Sequence, residues 1–215
     1  MLTPPRLDEP ELLDEHDAPR ADMERSLRDL RRINRYLGGV TTYRRLLERF
    51  GDVKAIVDLG AGTADLLDSV AGNILRIALD FKIDHLLYMR EQSRAHRVVA
   101  DALHLPFRNA SVDVVTSSHF FHHFTPDDNA LILREGLRIT RKGVAVTDTR
   151  RHYAPLLFVG ILVTLRLVGR ITRSDAPGSV RRGYTVGEAR RIADQAGAAE
   201  VVKFFPFRFA IFLFK

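Results

Sequence analysis

The chain has 215 residues, of which 46% are apolar, enough to bury one sizeable core, so the expected organisation is a single domain with terminal additions. Lys and Arg number 33 against 27 Asp and Glu, and the resulting charge of +6 favours acidic partners or an anionic membrane surface. There is no cysteine, which excludes disulfides, thiolate metal sites, cysteine nucleophiles and the cysteine clusters of radical chemistry, and fits a reducing cytoplasm.

Residues 1–20 are acidic and proline-rich without an apolar h-region, so they read as a loose, flexible arm, neither signal peptide nor anchor. Residues 21–37 then place Met23, Leu27, Leu30, Ile33 and Leu37 at spacings of three and four with arginines between, which predicts an amphipathic helix stopped by Gly38-Gly39. A second short helix is expected over 41–50. From residue 53 the pattern becomes short β-branched runs, at 55–57, 74–79, 97–99, 112–116 and 144–147, alternating with helical segments. That alternation predicts a doubly wound α/β fold with a mostly parallel sheet.

Thr125, Pro126 and Asp128 signal a helix running to about residue 140, and Thr185 with Glu188 forms a second capping box ahead of a helix stopped by Gly197. The last runs, 200–205 and 207–214, are separated only by Pro206 and either pair as an antiparallel hairpin or bend there. The longest apolar stretch, 156–168, is broken by Thr164 and Arg166 and is too short to span hydrocarbon.

The strongest chemical signal lies at residues 55–65. A buried strand ends in Asp58 and runs into a turn with Gly60 and Gly62, which let a ligand lie against bare backbone at the strand's carboxyl end. A dinucleotide site would want a third glycine where this chain has Asp65, a poor neighbour for a pyrophosphate. An acidic strand end instead suits a ligand with an ammonium and a sulfonium, and S-adenosylmethionine carries both. Asp80, about twenty residues on, ends the second strand where a carboxylate accepts both ribose hydroxyls, and Asp101-Ala102 follow the third, placed for the adenine amino group.

In this order and spacing these residues resemble the class I S-adenosylmethionine-dependent methyltransferases over residues 53–149, with Ala64 standing where that family has a third turn glycine. The stretch from Ala102 through Leu105-Pro106-Phe107 to Asp113 is similar to the subgroup that includes ubiquinone and menaquinone C-methyltransferases. After the fourth strand that subgroup carries an Arg-Asn pair, whereas this chain has His122-His123. The resemblance implies a seven-stranded sheet with an antiparallel final strand and S-adenosylmethionine as cofactor. The expected domains are the arm, a helical lid over 21–52, and a methyltransferase domain over 53–215 carrying a substrate-side insertion at about 153–184.

Methyl transfer from a sulfonium is an in-line displacement, so the protein must align the acceptor and, for phenols or activated carbons, remove a proton. His122 and His123, after the fourth strand, are the candidate general bases; Asp148 and His152, at and after the end of the fifth, complete the catalytic candidates. Ser117 and His119, closer to the fourth strand, are assigned to the cofactor, His119 to its methionyl part. The three histidines could also hold a metal with Asp148 as a further ligand, but no carboxylate lies within the cluster itself, so no metal is assigned. Leu156, Leu157, Phe158, Ile161 and Leu165 are expected to wall an acceptor pocket, and residues 170–182 to form a basic loop. With Arg166, Arg170, Arg173, Arg181 and Arg182 nearby, the same apolar group could rest on an anionic membrane.

The expected reaction is methylation of oxygen or carbon in a small hydrophobic acceptor such as a phenol, quinol or polyketide. A nucleic-acid acceptor is disfavoured, because the Asn/Asp-Pro-Pro-aromatic turn that holds a flipped base is missing. An RNA or protein methyltransferase and a non-catalytic cofactor-binding partner protein are the alternatives, and no oligomeric state follows from the pattern.

Overall fold

The computed structural model describes residues 3–7, 19–165 and 167–215. Two helices, α1 (Arg20–Tyr36) and α2 (Gly39–Glu48), precede the first strand. There follow β1 (Ala55–Leu59), α3 (Asp65–Asp68), β2 (Leu75–Asp80), α4 (Ile83–Leu87), β3 (Ala95–Val99) and β4 (Val112–Ser118). After a 3-10 turn at Phe121–His123 come α5 (Pro126–Ile139), β5 (Thr140–Thr149), α6 (Tyr153–Thr164), α7 (Arg170–Arg182), α8 (Val186–Asp194), β6 (Ala199–Phe204) and β7 (Arg208–Phe214). The strands make one sheet in the order β3-β2-β1-β4-β5-β7-β6. All run parallel except β7, which is antiparallel to β5 and β6. The seven-stranded α/β expectation therefore holds, and the two last runs pair as a hairpin.

Strand alternation divides the interior into two cores. Val57, Val115, Val146 and Ile211 point to the face covered by α5 and α8, while Ile56, Val114, Ala145 and Phe212 point to the face covered by α2, α3 and α4. β5 begins at Thr140, before the apolar run that predicts it, because Gly143 belongs to the ladder: a Cβ there would collide with the Leu213 carbonyl of β7. Thr125 Oγ1 accepts from Asp128 N at 3.2 Å, and the Thr185–Glu188 capping box is complete.

Three sequence expectations change. First, α2 is a core helix: Tyr43 and Leu46 are fully buried under the sheet, so of the two N-terminal helices only α1 reaches the ligand cleft. Second, residues 170–182 form α7 instead of a loop. Pro177 and Gly178 argue locally against a helix, but Ile171 and Val180 are buried, and the Asp29 carboxylate of α1 accepts from Gly169 N at 2.6 Å at the start of α7. That partner is 140 residues away in sequence, so no local signal reveals it.

Third, residues 3–7, expected within a loose arm, lie against the body. Arg6 donates to the carbonyls of Arg182 and Phe124 and to the Tyr184 hydroxyl at 3.0–3.1 Å, and Arg151 donates to Pro4 O at 2.7 Å. The rest of that arm, apart from residues 19 and 20, lies outside the described residues, as does Arg166.

Because α2 is core, Leu46→Ala is expected to cost about 2–5 kcal/mol of stability, whereas Leu157→Ala, on an exposed surface of α6, should stay within about 0.5 kcal/mol. Urea denaturation of the two variants checks this.

Candidate active site

A cleft of about 860 Å³ opens at the carboxyl ends of the strands, where β2 and β4 diverge to either side of β1. One half is built on β1 and β2. Asp58 ends up buried because it alternates with Val57 and Leu59 onto the α2 face, where Tyr43 bonds Thr116 Oγ1 at 2.7 Å and Thr116 donates to Asp58 Oδ1 at 2.7 Å. Burial pushes the Asp58 carboxyl up to about 7; the Thr116 and Tyr43 hydroxyls oppose this and the charges of Asp65 and Asp80 add to it. Three carboxylates facing one cleft make a site that a cation relieves.

The following turn uses left-handed backbone at Gly60 and Gly62, with φ of 64° and 51°. A side chain at Gly60 would strike the Phe120 ring, so the close approach expected from a ligand is made here by Phe120; above Gly62 the space is open. Asp80 accepts from Gly62 N and from Lys82 N, both at 3.0 Å, which ties the turn to the end of β2. Asp101 accepts from Leu103 N at 2.9 Å and lines the cleft beside Ala102. From α1, Arg31 donates to Thr63 Oγ1 at 2.9 Å and Asn34 to Asp65 at 3.1 Å, so that helix closes over the turn.

The other half is organised by Asp148. Its carboxylate has no solvent exposure and accepts from His122 N, His122 Nδ1 and Thr149 N at 2.6–3.0 Å. Burial alone would raise its pKa, but His122, His119 and the Thr149 amide together hold it well below the usual carboxylate range. His119, in left-handed backbone at φ 54°, bonds Thr149 Oγ1 through Nδ1 at 3.2 Å and Arg208 through Nε2. Burial pulls Arg208 down to about 10, against the opposing charge of Asp148, so it stays cationic at neutral pH. The histidine turn is held from below by Asn129, which donates to Phe121 O, and by Tyr184, which donates to Phe124 O.

The apolar wall comes from α6 and α7. Pro155, Phe158, Val159, Leu162 and Val163 of α6 line the cleft, as the helical repeat requires, while Tyr153, Leu157, Ile161 and Leu165 project outward. Of the five residues expected to wall the pocket, only Phe158 does so.

Asp58, Gly60, Gly62, Asp80, Asp101, Ala102, His119, His122 and His123 all line this one cleft. Asp148 stands behind His122 and outside the lining. Ser117 also departs from expectation: it is fully buried and donates to Leu59 O at 3.1 Å, and its neighbour Ser118 reaches the cleft, because consecutive strand residues face opposite ways. His152 is not brought to the cleft; its Nδ1 accepts from Ala154 N at 3.0 Å and caps α6, so the catalytic assignment gives way to a capping one.

Sequence reasoning missed Arg208 and His85. The one signal for Arg208 is a lone cation in an otherwise apolar closing strand. His85 lines the cleft with Nδ1 3.5 Å from Asp80, and its buried Nε2 meets no partner among the described residues.

Comparison with known proteins agrees with this geometry. A family model described as a methyltransferase domain matches residues 57–147. A methyltransferase structure from Methanococcus maripaludis superposes with a TM-score of 0.66 at 16% identity, over 93% of this chain and 96% of that one. The plantazolicin methyltransferase BpumL in complex with SAH gives 0.70 at 11% identity, over 94% and 92%; both likenesses concern the fold. The chain belongs to the S-adenosylmethionine-dependent methyltransferases.

Within that family its curated relatives include the demethylmenaquinone methyltransferase of Roseiflexus castenholzii, 31% identical over 67% of this chain and 68% of the relative. That of Mycobacterium sp. (strain KMS) is 30% identical over 69% of this chain, and the match spans 65% of the relative's length.

The residues present fit the family's cofactor. Asp58 and Asp80 line one half of the cleft, and carboxylates are the chemistry that an ammonium and ribose hydroxyls require. The buried Ser118 Oγ, without a partner among the described residues, supplies a further polar contact to the same cleft.

Asp80→Ala is expected to weaken S-adenosylmethionine binding by about 1.5–3 kcal/mol in calorimetry. Asp58 gives a test in pH. Its folded pKa is raised, so its stabilising proton is fully present below the unfolded carboxylate pKa and lost as pH rises towards about 7. Asp58→Asn should therefore gain stability relative to wild type between about pH 4 and pH 8, measured by urea denaturation of the ligand-free protein.

Proposed function

We propose that this chain transfers a methyl group from S-adenosylmethionine to oxygen or carbon of a small hydrophobic acceptor, such as a phenol, quinol or polyketide. The observation that carries this reading is one cleft with a carboxylate-rich half on β1 and β2 and an apolar half that meets the His122–Asp148 pair. The names of the curated relatives, demethylmenaquinone methyltransferases, favour a quinol within that class.

When bound, S-adenosylmethionine supplies an electrophilic methyl on a sulfonium. The protein's part is alignment and proton removal. Held by Asp148 through Nδ1, His122 would take the acceptor's proton at Nε2, and the ionised carboxylate would stabilise the imidazolium so formed. His123, its ring centroid 4.3 Å from that of His122 at a tilt of 32°, lies at the exposed mouth of the cleft and shapes the entrance. Phe158 and Leu162 exclude water from the acceptor, and α1 closes over the cofactor side as a lid.

The outward stripe of α6 supports a further element of the reading, peripheral contact with an anionic membrane from which a lipophilic acceptor would be drawn. Leu157, Ile161 and Leu165 are 69%, 49% and 62% exposed, on a chain of net charge +6. Arg182, expected at this surface, is buried and takes no part. Among the described residues no helix is long and apolar enough to cross a membrane.

His122→Ala should lower turnover of a quinol acceptor by about a hundredfold or more with cofactor affinity unchanged, and His123→Ala by less. Full activity of His122→Ala would remove the general base from this account. Phe158→Asp should raise the Michaelis constant for the acceptor, whereas Leu157→Asp should leave it unchanged in detergent solution and weaken sedimentation with vesicles containing anionic lipid.

A further inference from the structure

We propose that Arg208 and His119 form an anion subsite in the apolar half of the cleft, where the acceptor is held through an ionised enol or phenol oxygen conjugated to the atom that is methylated. The inference rests on the methyltransferase reading and narrows its acceptor to a conjugate base.

Arg208 is 5% exposed, yet it lines the cleft. A buried guanidinium has five donors to satisfy. Arg76, equally buried, donates to four carbonyl oxygens, and Arg151 to two carbonyls and the Glu188 carboxylate. Arg208 has one side-chain partner among the described residues, a ring nitrogen of His119. The nearby carboxylate, Asp148, is taken up by His122 and Thr149 N. The guanidinium is thus a fixed cation with donors to spare, in a cleft that Phe158, Leu162 and Phe207 also line.

His119 fixes its direction. With Nε2 accepting from Arg208, its proton sits on Nδ1 towards Thr149 Oγ1, and the left-handed backbone at this residue is a strain that persists only where the surroundings enforce it. Planar, bidentate guanidinium recognition suits an oxyanion on a flat ring.

The chemistry balances. The acceptor's O–H proton passes to His122 and then to solvent, and the oxyanion's charge is delocalised onto the nucleophilic oxygen or carbon. That atom's electron pair forms the new bond to methyl, and the pair of the broken S–CH3 bond stays on sulfur. Anion and sulfonium become two neutral products, Arg208 loses its ionic partner, and release is favoured.

The test is equilibrium dialysis of the full chain, saturated with S-adenosylhomocysteine, against 2-hydroxy-1,4-naphthoquinone, which is anionic at neutral pH, and its neutral 2-methoxy analogue. Wild type should bind the hydroxy compound about tenfold or more tighter. Arg208→Gln should abolish that preference and Arg208→Lys keep part of it, with S-adenosylhomocysteine affinity retained as the report of folding. If Arg208→Gln does not fold, wild type and Arg208→Lys decide. Equal affinities in wild type, or a preference that survives Arg208→Gln, would overturn the inference while leaving an apolar acceptor pocket in place. Tighter binding of 2-naphthoate than of the hydroxyquinone would overturn the enol assignment in favour of a carboxylate. Failure of both quinones to bind would overturn the acceptor reading and this inference with it.

Discussion

A carboxylate without solvent contact stays ionised only if donors surround it, and Asp148 imposes that requirement at the end of β5. Its position is set by the ladder, where it pairs with Phe209 of β7, so the group cannot retreat to water. The turn after β4 must therefore bring it the backbone amide and ring of His122, while Arg208 supplies positive charge nearby. That turn is held in place by Asn129 of α5, by Tyr184 ahead of α8 and by Arg6, whose bond to Phe124 O explains why residues 3–7 dock against the body. Much of the acceptor side is thus a set of supports for one buried charge.

The cofactor side runs the opposite electrostatics. Asp58, Asp65 and Asp80 converge on their half of the cleft, and burial, with a smaller addition from the charges of Asp65 and Asp80, raises the pKa of Asp58. A fold that gathers three carboxylates there and surrounds a fourth, Asp148, with donors beside Arg208 has separated cation binding from anion binding within a single cleft. Methyl transfer between a sulfonium and an electron-rich acceptor needs that separation, since each partner is held by charge opposite to its own.

The order of elements and the cofactor turn were legible because their signals are local: β-branched runs, caps at Thr125 and Thr185, and glycines where left-handed backbone is required. What escaped notice depends on contacts distant in sequence. Residues 170–182 read as a loop because Pro177 sits inside them and the carboxylate at their helical start, Asp29, belongs to α1. That Ser118 and not Ser117 reaches the cleft is hidden in the sequence, because the strand's last residue, and hence its parity, is fixed by pairing with β1 and β5. The uniformly apolar sequence of α6 does not mark its facing, whereas a helix presents only every third or fourth residue to one side, which selects Phe158, Val159 and Leu162 and turns Leu157 and Ile161 away. Arg208 escaped because nothing in a closing strand marks which residue will meet a histidine 89 positions earlier.

The central claim is that Asp148 acts on methyl transfer through His122 and not on cofactor binding. Single-turnover transfer to a quinol acceptor by Asp148→Asn, measured beside its S-adenosylmethionine dissociation constant, tests it most directly. The account predicts an unchanged dissociation constant and a transfer rate lower by about a hundredfold or more, because the amide no longer stabilises the imidazolium or enforces its tautomer. A transfer rate equal to that of wild type, with the variant folded and binding cofactor normally, would contradict it.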